Sequence, residues 1–147
     1  MDQVRSVGRA LGNTRGQALV EAALVMPILL LLLVGIMEFG RAWNIHQVVT
    51  DAARQGARKA AIWHESGSAT VQDSARAVVG RSLAAGSIDP ATAVIDVTGD
   101  APGSEEATVT VEVEYQFFVL APVMALAGQS FGNGKVKLKS SAVMRNE

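Results

Sequence analysis

The polarity pattern of the chain begins with one long apolar run and later changes to shorter periodic segments. Residues 18–37 contain a single charged side chain, Glu21. At about 1.5 Å rise per residue, a helix over this run is about 30 Å long, which is the hydrocarbon thickness of a bilayer. A cleaved secretory signal is the rival interpretation, but the run is long for one, and Glu38 and Trp43 follow it where a cleavage site is expected. We therefore predict a retained transmembrane helix over residues 17–41.

The helical pattern continues beyond the apolar run. Small and apolar residues recur at helical spacing and predict one helix from about residue 14 to residue 63. Their small size permits close helix–helix approach. Pro27 is expected to kink this helix because its ring removes a backbone donor and crowds the preceding turn. The stripe consists of Ile45, Val48, Val49, Ala52, Ala53, Gly56, Ala60 and Trp63.

The second half of the chain predicts a helix followed by strands. A helix over about residues 71–85 follows a weak capping box of Thr70 and Asp73, and Gly86 is its end signal. Alternation with a period of two then predicts three strands, over residues 93–98, 108–117 and 135–144. The predicted fold class is α+β: a long amino-terminal membrane-spanning helix continues into a domain in which a second helix packs on a small three-stranded antiparallel sheet.

Two details of the sheet follow from the same pattern. If the last two strands are neighbours, Glu112 and Glu114 face the lysines at positions 135, 137 and 139, and such pairs help to select the register. The apolar segment 120–128 between these strands predicts a short helix. We expect it to be buried as a cap on the sheet; an exposed segment would instead be an interaction patch.

Composition and charge exclude several functions. A formal net charge of −1 provides no basic field for nucleic acid. The absence of cysteine excludes disulfides, thiol catalysis, cysteine-ligated zinc and iron–sulfur clusters. His46 and His64 are too far apart along a helix to bind one metal, and no serine or threonine lies in a nucleophile motif. We predict no enzymatic activity, no cofactor, no metal, no nucleic-acid partner and no small-molecule substrate.

The distribution of basic residues predicts the orientation. The leader, residues 1–16, carries Arg5, Arg9 and Arg15. Because positively charged flanks remain in the cytoplasm, the remainder of the chain is expected to cross the membrane. Residues 42–147 are therefore predicted to form an extracytoplasmic α+β domain.

Glu21 is the candidate functional group of the span. An acid costs about 2.5–3.5 kcal/mol at a span centre and less near an interface, so it suggests a positive partner. Cutting the chain after Gly16 would create an amino group at Gln17, about one helical turn from Glu21. Glu21 could pair with this amine in its own subunit or in a neighbouring one. Alternatively, Glu21 extends to the lipid headgroups, and the residues by themselves leave both interpretations open.

Four runs of sequence carry a resemblance to a known family. They are Arg15-Gly-Gln-Ala-Leu-Val-Glu-Ala-Ala-Leu-Val-Met-Pro27, Met37-Glu-Phe-Gly-Arg41, Asp51-Ala-Ala-Arg-Gln-Gly-Ala-Arg58 and Ser141-Ala-Val-Met-Arg-Asn-Glu147. Together they resemble the TadE-like family, the minor pilins or pseudopilins of the Tad (Flp-type) pilus, which is a branch of the type IV pilus machinery. The resemblance is sharpest over about residues 15–60.

The resemblance implies cleavage by a prepilin peptidase between Gly16 and Gln17, which makes Glu21 the fifth residue of the mature chain. Ala22 stands where the major Flp pilins have a tyrosine, so the resemblance favours an accessory subunit. Such a subunit contributes to assembly, initiation, or the tip or base of the pilus. The alternative is an uncleaved single-span anchor whose outer domain binds another component of the envelope or secretion complex.

The resemblance also implies partners and a location. The partners are the lipid bilayer, the prepilin peptidase, other pilin-like subunits and the pilus assembly platform. The protein is expected in the bacterial cytoplasmic membrane as a single-pass protein, from which it can enter a pilus. Charged residues in the family-like runs are candidates for subunit contacts: Glu38, Arg41, Asp51, Arg54 and Arg58. The simpler expectation for the last three is a surface ladder of ion pairs.

Overall fold

The fold is the predicted α+β arrangement. A computed structural model describes residues 14–62, 68–99, 104–126, 128 and 134–146, so most of the predicted leader lies outside the described residues. The elements in chain order are helix α1 (Thr14–Ala61), helix α2 (Ser68–Ala85), a short 3-10 helix (Pro90–Thr92), strand β1 (Ala93–Thr98), strand β2 (Glu106–Gln116), helix α3 (Leu120–Leu126) and strand β3 (Lys135–Arg145).

Helix α1 is shared between two compact units, the first ending at Val34 and the second beginning at Gly35. In the first unit the large apolar side chains are exposed; Leu24, for example, is 69% exposed. The helix is long and apolar enough to cross a membrane, and none of its most apolar window is buried. Such a helix fits a single-pass membrane protein. Pro27 lies inside the helix without ending it, and the kink stays a prediction.

In the second unit, the stripe of small residues on α1 packs inside the chain. Val49, Ala52 and Ala53 are fully buried in one core with residues of α2, β1 and β2. The helices approach closely at Gly56, where an added Cβ would lie 2.5 Å from the Val79 side chain of α2. The predicted close helix packing therefore occurs within this chain. Trp63, the last member of the predicted stripe, lies outside the described residues.

Helix α2 begins earlier than the sequence pattern predicts. It starts at Ser68, so Thr70 lies inside the helix and the predicted capping box is wrong. At its other end, the Ser87 N–H donates to the Ala84 carbonyl and the Ile88 N–H donates to the Leu83 carbonyl. Ser87 has a φ of 61°, so these bonds form a Schellman ending with serine in the left-handed position usually taken by glycine.

Helix α2 ends at Ala85, directly before Gly86, as predicted, but the left-handed conformation is not at Gly86. A Cβ at this position would collide with the side chain of Val48 on α1. The glycine is therefore required for close contact between the two helices, whereas the left-handed residue of the turn is Ser87.

The three strands form one antiparallel sheet in the order β1-β2-β3. Residue Glu112 lies opposite Lys139, and Glu114 lies opposite Lys137. The ion pairs run diagonally: Lys137 Nζ lies 2.7 Å from Glu112, and Lys135 Nζ lies 3.1 Å from Glu114. The predicted facing of acids and lysines is confirmed.

The Glu112–Lys137 pair gives a pH prediction. Its hydrogen bond lowers the pKa of Glu112 and raises the pKa of Lys137. The stabilisation by Glu112 is therefore present above its unfolded pKa and is lost as the pH falls through its folded pKa. We expect Lys137→Ala to raise the pKa of Glu112, measured by carboxyl carbon NMR, whereas Lys59→Ala on α1 leaves it unchanged. An unaltered Glu112 titration in the first variant would contradict the pairing.

The apolar segment before β3 is not buried, so that prediction is wrong. Strand β2 ends at Gln116, and a connection of residues 117–119 with a bend leads into α3. Within segment 120–128, Leu126 is 89% exposed, whereas Leu120, Ala121 and Val123 are half-buried. The physical reason is that the start of this segment is held by hydrogen bonds from its backbone N–H groups to the side chain of Glu38. The position of the segment therefore does not depend on burial of its side chains.

Candidate assembly site on the first helix

The predicted processing residues lie at the start of the described helix. Gly16 is half-buried, whereas Gln17 and Glu21 are exposed. Because an α-helix has 3.6 residues per turn, positions 17 and 21 lie on the same face. Among the side chains that the structure describes, none forms a hydrogen bond or ion pair with Glu21. The site is therefore open to a partner from outside the described part of the chain.

Glu38 is the centre of a buried polar network. Glu38 is only 5% exposed. The Oε1 atom accepts the N–H of Phe118 at 2.6 Å and the N–H of Val119 at 2.7 Å, and Oε2 accepts the N–H of Leu120 at 3.0 Å. A buried carboxylate is costly unless it is hydrogen-bonded, and here three donors converge on it.

The network replaces a helix cap that the local sequence lacks. Val119 precedes the first residue of α3, and valine cannot cap a helix with its side chain. Glu38 satisfies the free N–H groups from a position far away in the sequence. The contact ties the start of α3 to α1.

Tyr115 completes this network on β2. Its hydroxyl donates to the carbonyl oxygen of Glu38 at 3.4 Å, and its ring meets Phe117 edge-on at 5.1 Å between centroids. Burial raises the pKa of Tyr115, and the negative charge of Glu38 raises it further, more than the nearby Arg41 lowers it. The hydroxyl therefore remains protonated and able to donate.

Sequence reasoning placed Glu38 among the candidates for subunit contacts, whereas the structure gives it contacts inside its own domain. Two signals point to this role. Glu38 lies seven residues before Ile45 and is therefore on the same face of α1 as the buried stripe. In addition, the segment leading into α3 contains no serine, threonine, aspartate or asparagine to cap the helix.

The other four charged candidates are exposed. The Arg41 guanidinium lies 5.4 Å from the centre of the Phe118 ring. Arg54 lies 3.7 Å from Asp51, which confirms one step of the expected surface ladder. Arg58 instead lines an open cleft of about 420 Å³ together with Arg145. Their role in subunit contacts stays a prediction.

No metal centre accompanies these residues. Within the described ranges, no group of three or more histidine, aspartate or glutamate side chains is placed to hold a metal ion.

Comparison with known protein families returns one match that coincides with α1. The model of the family described as TadE-like protein matches residues 16–58. Over these residues the first helix is similar to the TadE-like family. The resemblance carried by the runs at 15–27, 37–41 and 51–58 is thereby confirmed, while the closing run at 141–147 lies outside the match. Searches of curated proteins and of solved structures returned no match.

The TadE-like segment joins two kinds of surface on one helix. It begins at Gly16, covers the exposed apolar part, and ends at Arg58, close to the end of α1. It also includes Glu38 and Gly56, at which α1 makes close contacts with the rest of the domain. The sheet lies outside it.

Proposed function

We propose that the protein is a minor pilin or pseudopilin of a Tad-type pilus and has no enzymatic activity. The observation that carries the proposal is the TadE-like match to a helix that is apolar and exposed over residues 18–37 and packed into a small domain beyond them. Residues 17–41 would span the bacterial cytoplasmic membrane, and residues 42–147 would form the extracytoplasmic domain.

Processing would prepare the subunit for assembly. A prepilin peptidase would hydrolyse the peptide bond between Gly16 and Gln17 and release an amino group at Gln17. In the apolar interior of the membrane or of a pilus, Glu21 would form an ion pair with the amino group at Gln17 of a neighbouring subunit. A misregistered subunit would leave a buried charge unpaired, so the pair would fix the axial stagger. The exposed position of Glu21 supports this role.

The exposed charged residues of α1 would serve contacts with other subunits or with the assembly platform. Asp51, Arg54 and Arg58 lie three and four residues apart, which places them on one side of the helix. Arg41 lies closer to the membrane in this arrangement. Glu38 would support the same surface indirectly, because it holds the segment next to Arg41.

Blocking the cut is the first test of this proposal. We expect Gly16→Ala to leave the leader attached, because the peptidase would no longer recognise the cleavage site. Amino-terminal sequencing of protein from cells with a Tad system should give Gln17 for the wild type and an uncleaved terminus for the variant. Glu21→Ala should be cleaved but enter assemblies poorly, measured as the fraction of subunit recovered with sheared pili.

A matched control is available in the same helix. A Cβ at Gly35 would meet nothing within 4 Å, so Gly35→Ala makes the same chemical change without a steric consequence. It should be processed like the wild type. A wild-type protein that begins at Met1 would overturn the processing claim and favour the uncleaved anchor instead.

A further inference from the structure

Several large apolar side chains are exposed on α1 close to Glu38 and on the segment whose start Glu38 holds. Phe39 is 66% exposed and Trp43 is 56% exposed on α1, and Phe118 is 70% exposed beside it. Leu126, at the end of α3, is 89% exposed. We refer to Phe39, Trp43, Phe118 and Leu126 as the belt. Such a concentration of exposed apolar surface marks a contact with another phase or molecule.

The aromatic members of the belt lie on opposite sides of α1. Phe39 and Trp43 are stacked with 6.4 Å between their centroids. Since each residue of an α-helix advances about 100°, Arg41 points about 160° away from both of them. The Phe118 ring covers Arg41 on that other side. The aromatic groups therefore flank the helix at one height rather than forming a single flat face.

This distribution favours a partner that surrounds the helix. A protein docking on one face would contact one side of the belt, whereas the headgroup region of a bilayer contacts every side at the same depth. Tryptophan and other aromatic side chains concentrate at this depth in membrane proteins. The belt also follows directly in sequence upon the apolar run that ends at Met37.

The residue composition of the segment 117–126, which precedes β3, also suits the headgroup region of a bilayer. Residues 117–126 contain no charged side chain. Free backbone N–H groups are costly near lipid, and those of Phe118, Val119 and Leu120 are all bonded to Glu38. Arg41 is exposed beside this segment, where a long basic side chain can reach lipid phosphates.

We propose that the segment 117–126 is a second membrane contact of this chain and lies in the headgroup region of the outer leaflet, next to Glu38 and Arg41 of α1. Glu38 holds the start of the segment at that level. The inference rests on the proposed function in one respect, since it requires residues 18–37 to span the bilayer.

Because the chain has no cysteine, single introduced cysteines can report the depth of each position. Full-length variants Phe118→Cys and Leu126→Cys would carry a nitroxide spin label in vesicles of phosphatidylethanolamine and phosphatidylglycerol. Collision with oxygen, which concentrates in lipid, is compared with collision with a water-soluble nickel complex. Val94→Cys, an exposed position on β1, is the aqueous control, and Leu30→Cys is the lipid control.

We expect labels at 118 and 126 to favour oxygen over nickel several-fold relative to position 94, and less strongly than position 30. Values equal to those of position 94, with position 30 in lipid, would overturn the second contact and leave the span intact. Protection of 118 and 126 from both collision partners would assign the surface to a second copy of the chain and would also overturn it. A nickel-accessible position 30 would refute the span and the inference together.

Discussion

Replacing Glu38 with alanine is expected to destabilise the second compact unit, residues 35–147, by about 2–4 kcal/mol. A hydrogen bond to a charged group contributes about 1.5–3 kcal/mol net, and the three bonds share one carboxylate, so their contributions do not simply add. Glu38→Ala removes the acceptor for three backbone N–H groups at once. It should also release the start of α3 from α1, because the remaining contact of that residue is between its carbonyl oxygen and Tyr115.

Hydrogen exchange in full-length protein in detergent micelles measures both effects. Exchange of the β2 amides reports the free energy of global unfolding, and exchange of the Phe118, Val119 and Leu120 amides reports local release. Glu38→Gln keeps one acceptor oxygen but directs an NH₂ group at one of the donors, so we expect an intermediate loss of protection.

Glu114→Ala is the matched control, because Glu114 is exposed and pairs with Lys135 on the solvated face of the sheet. It should leave the exchange of the Phe118, Val119 and Leu120 amides unchanged. Equal protection of these amides in wild type and Glu38→Ala would show that the carboxylate does not hold the segment.

The second large effect is expected at Gly56. A methyl group added here would lie 2.5 Å from Val79 Cγ2 and 3.1 Å from Val109 Cγ1, both in the core. Overpacking of this kind costs about 1–3 kcal/mol. We expect Gly56→Ala to destabilise the domain by that amount although alanine is the better helix former. The free energy of unfolding from β2 amide exchange measures it.

A rescue variant separates steric overlap from other causes. Val79→Ala removes the methyl groups that Gly56→Ala would meet, so the double variant should lose less stability than the sum of the two single variants. Gly40→Ala is the control, because its Cβ would meet nothing within 4 Å and the substitution should be neutral or stabilising. Additive losses in the double variant would contradict the assigned contact.

These two positions connect the TadE-like segment to the fold. Gly56 lets α2 and β2 approach α1, and Glu38 holds the segment before β3 next to α1. The proposed assembly role of α1 therefore depends on contacts made by residues outside the family match. A loss of assembly in Glu38→Ala with normal processing would be the expected consequence.

Much of the fold was predictable because the hydrophobic periods are strong. The apolar run over residues 18–37 has apolar side chains all around the predicted helix, which indicates a helix in a membrane or in a protein core. The alternation of apolar and polar residues in β2 indicates a strand with one buried face. The facing of the acids and lysines on the last two strands was predictable on the condition that these strands are neighbours, which the structure confirms. The family-like runs located the candidate site on α1.

The predicted burial of α3 failed because a partner distant in sequence, Glu38, holds the start of that helix. The end of α2 at Ala85 was predicted correctly, but the left-handed residue that follows is Ser87, and Gly86 is needed because Val48 approaches from α1.

By itself, the sequence determined the long helix, the strands and the similarity of α1 to the TadE-like family, because these depend on periodicity and on residues close together along the chain. Only the tertiary structure decided the strand register, the capping of α3 by Glu38, the packing contact at Gly56 and the exposed position of Phe118 beside Arg41. Each of these depends on hydrogen bonds and van der Waals contacts between residues that are far apart in the sequence, and the residue types alone do not specify which of them come into contact.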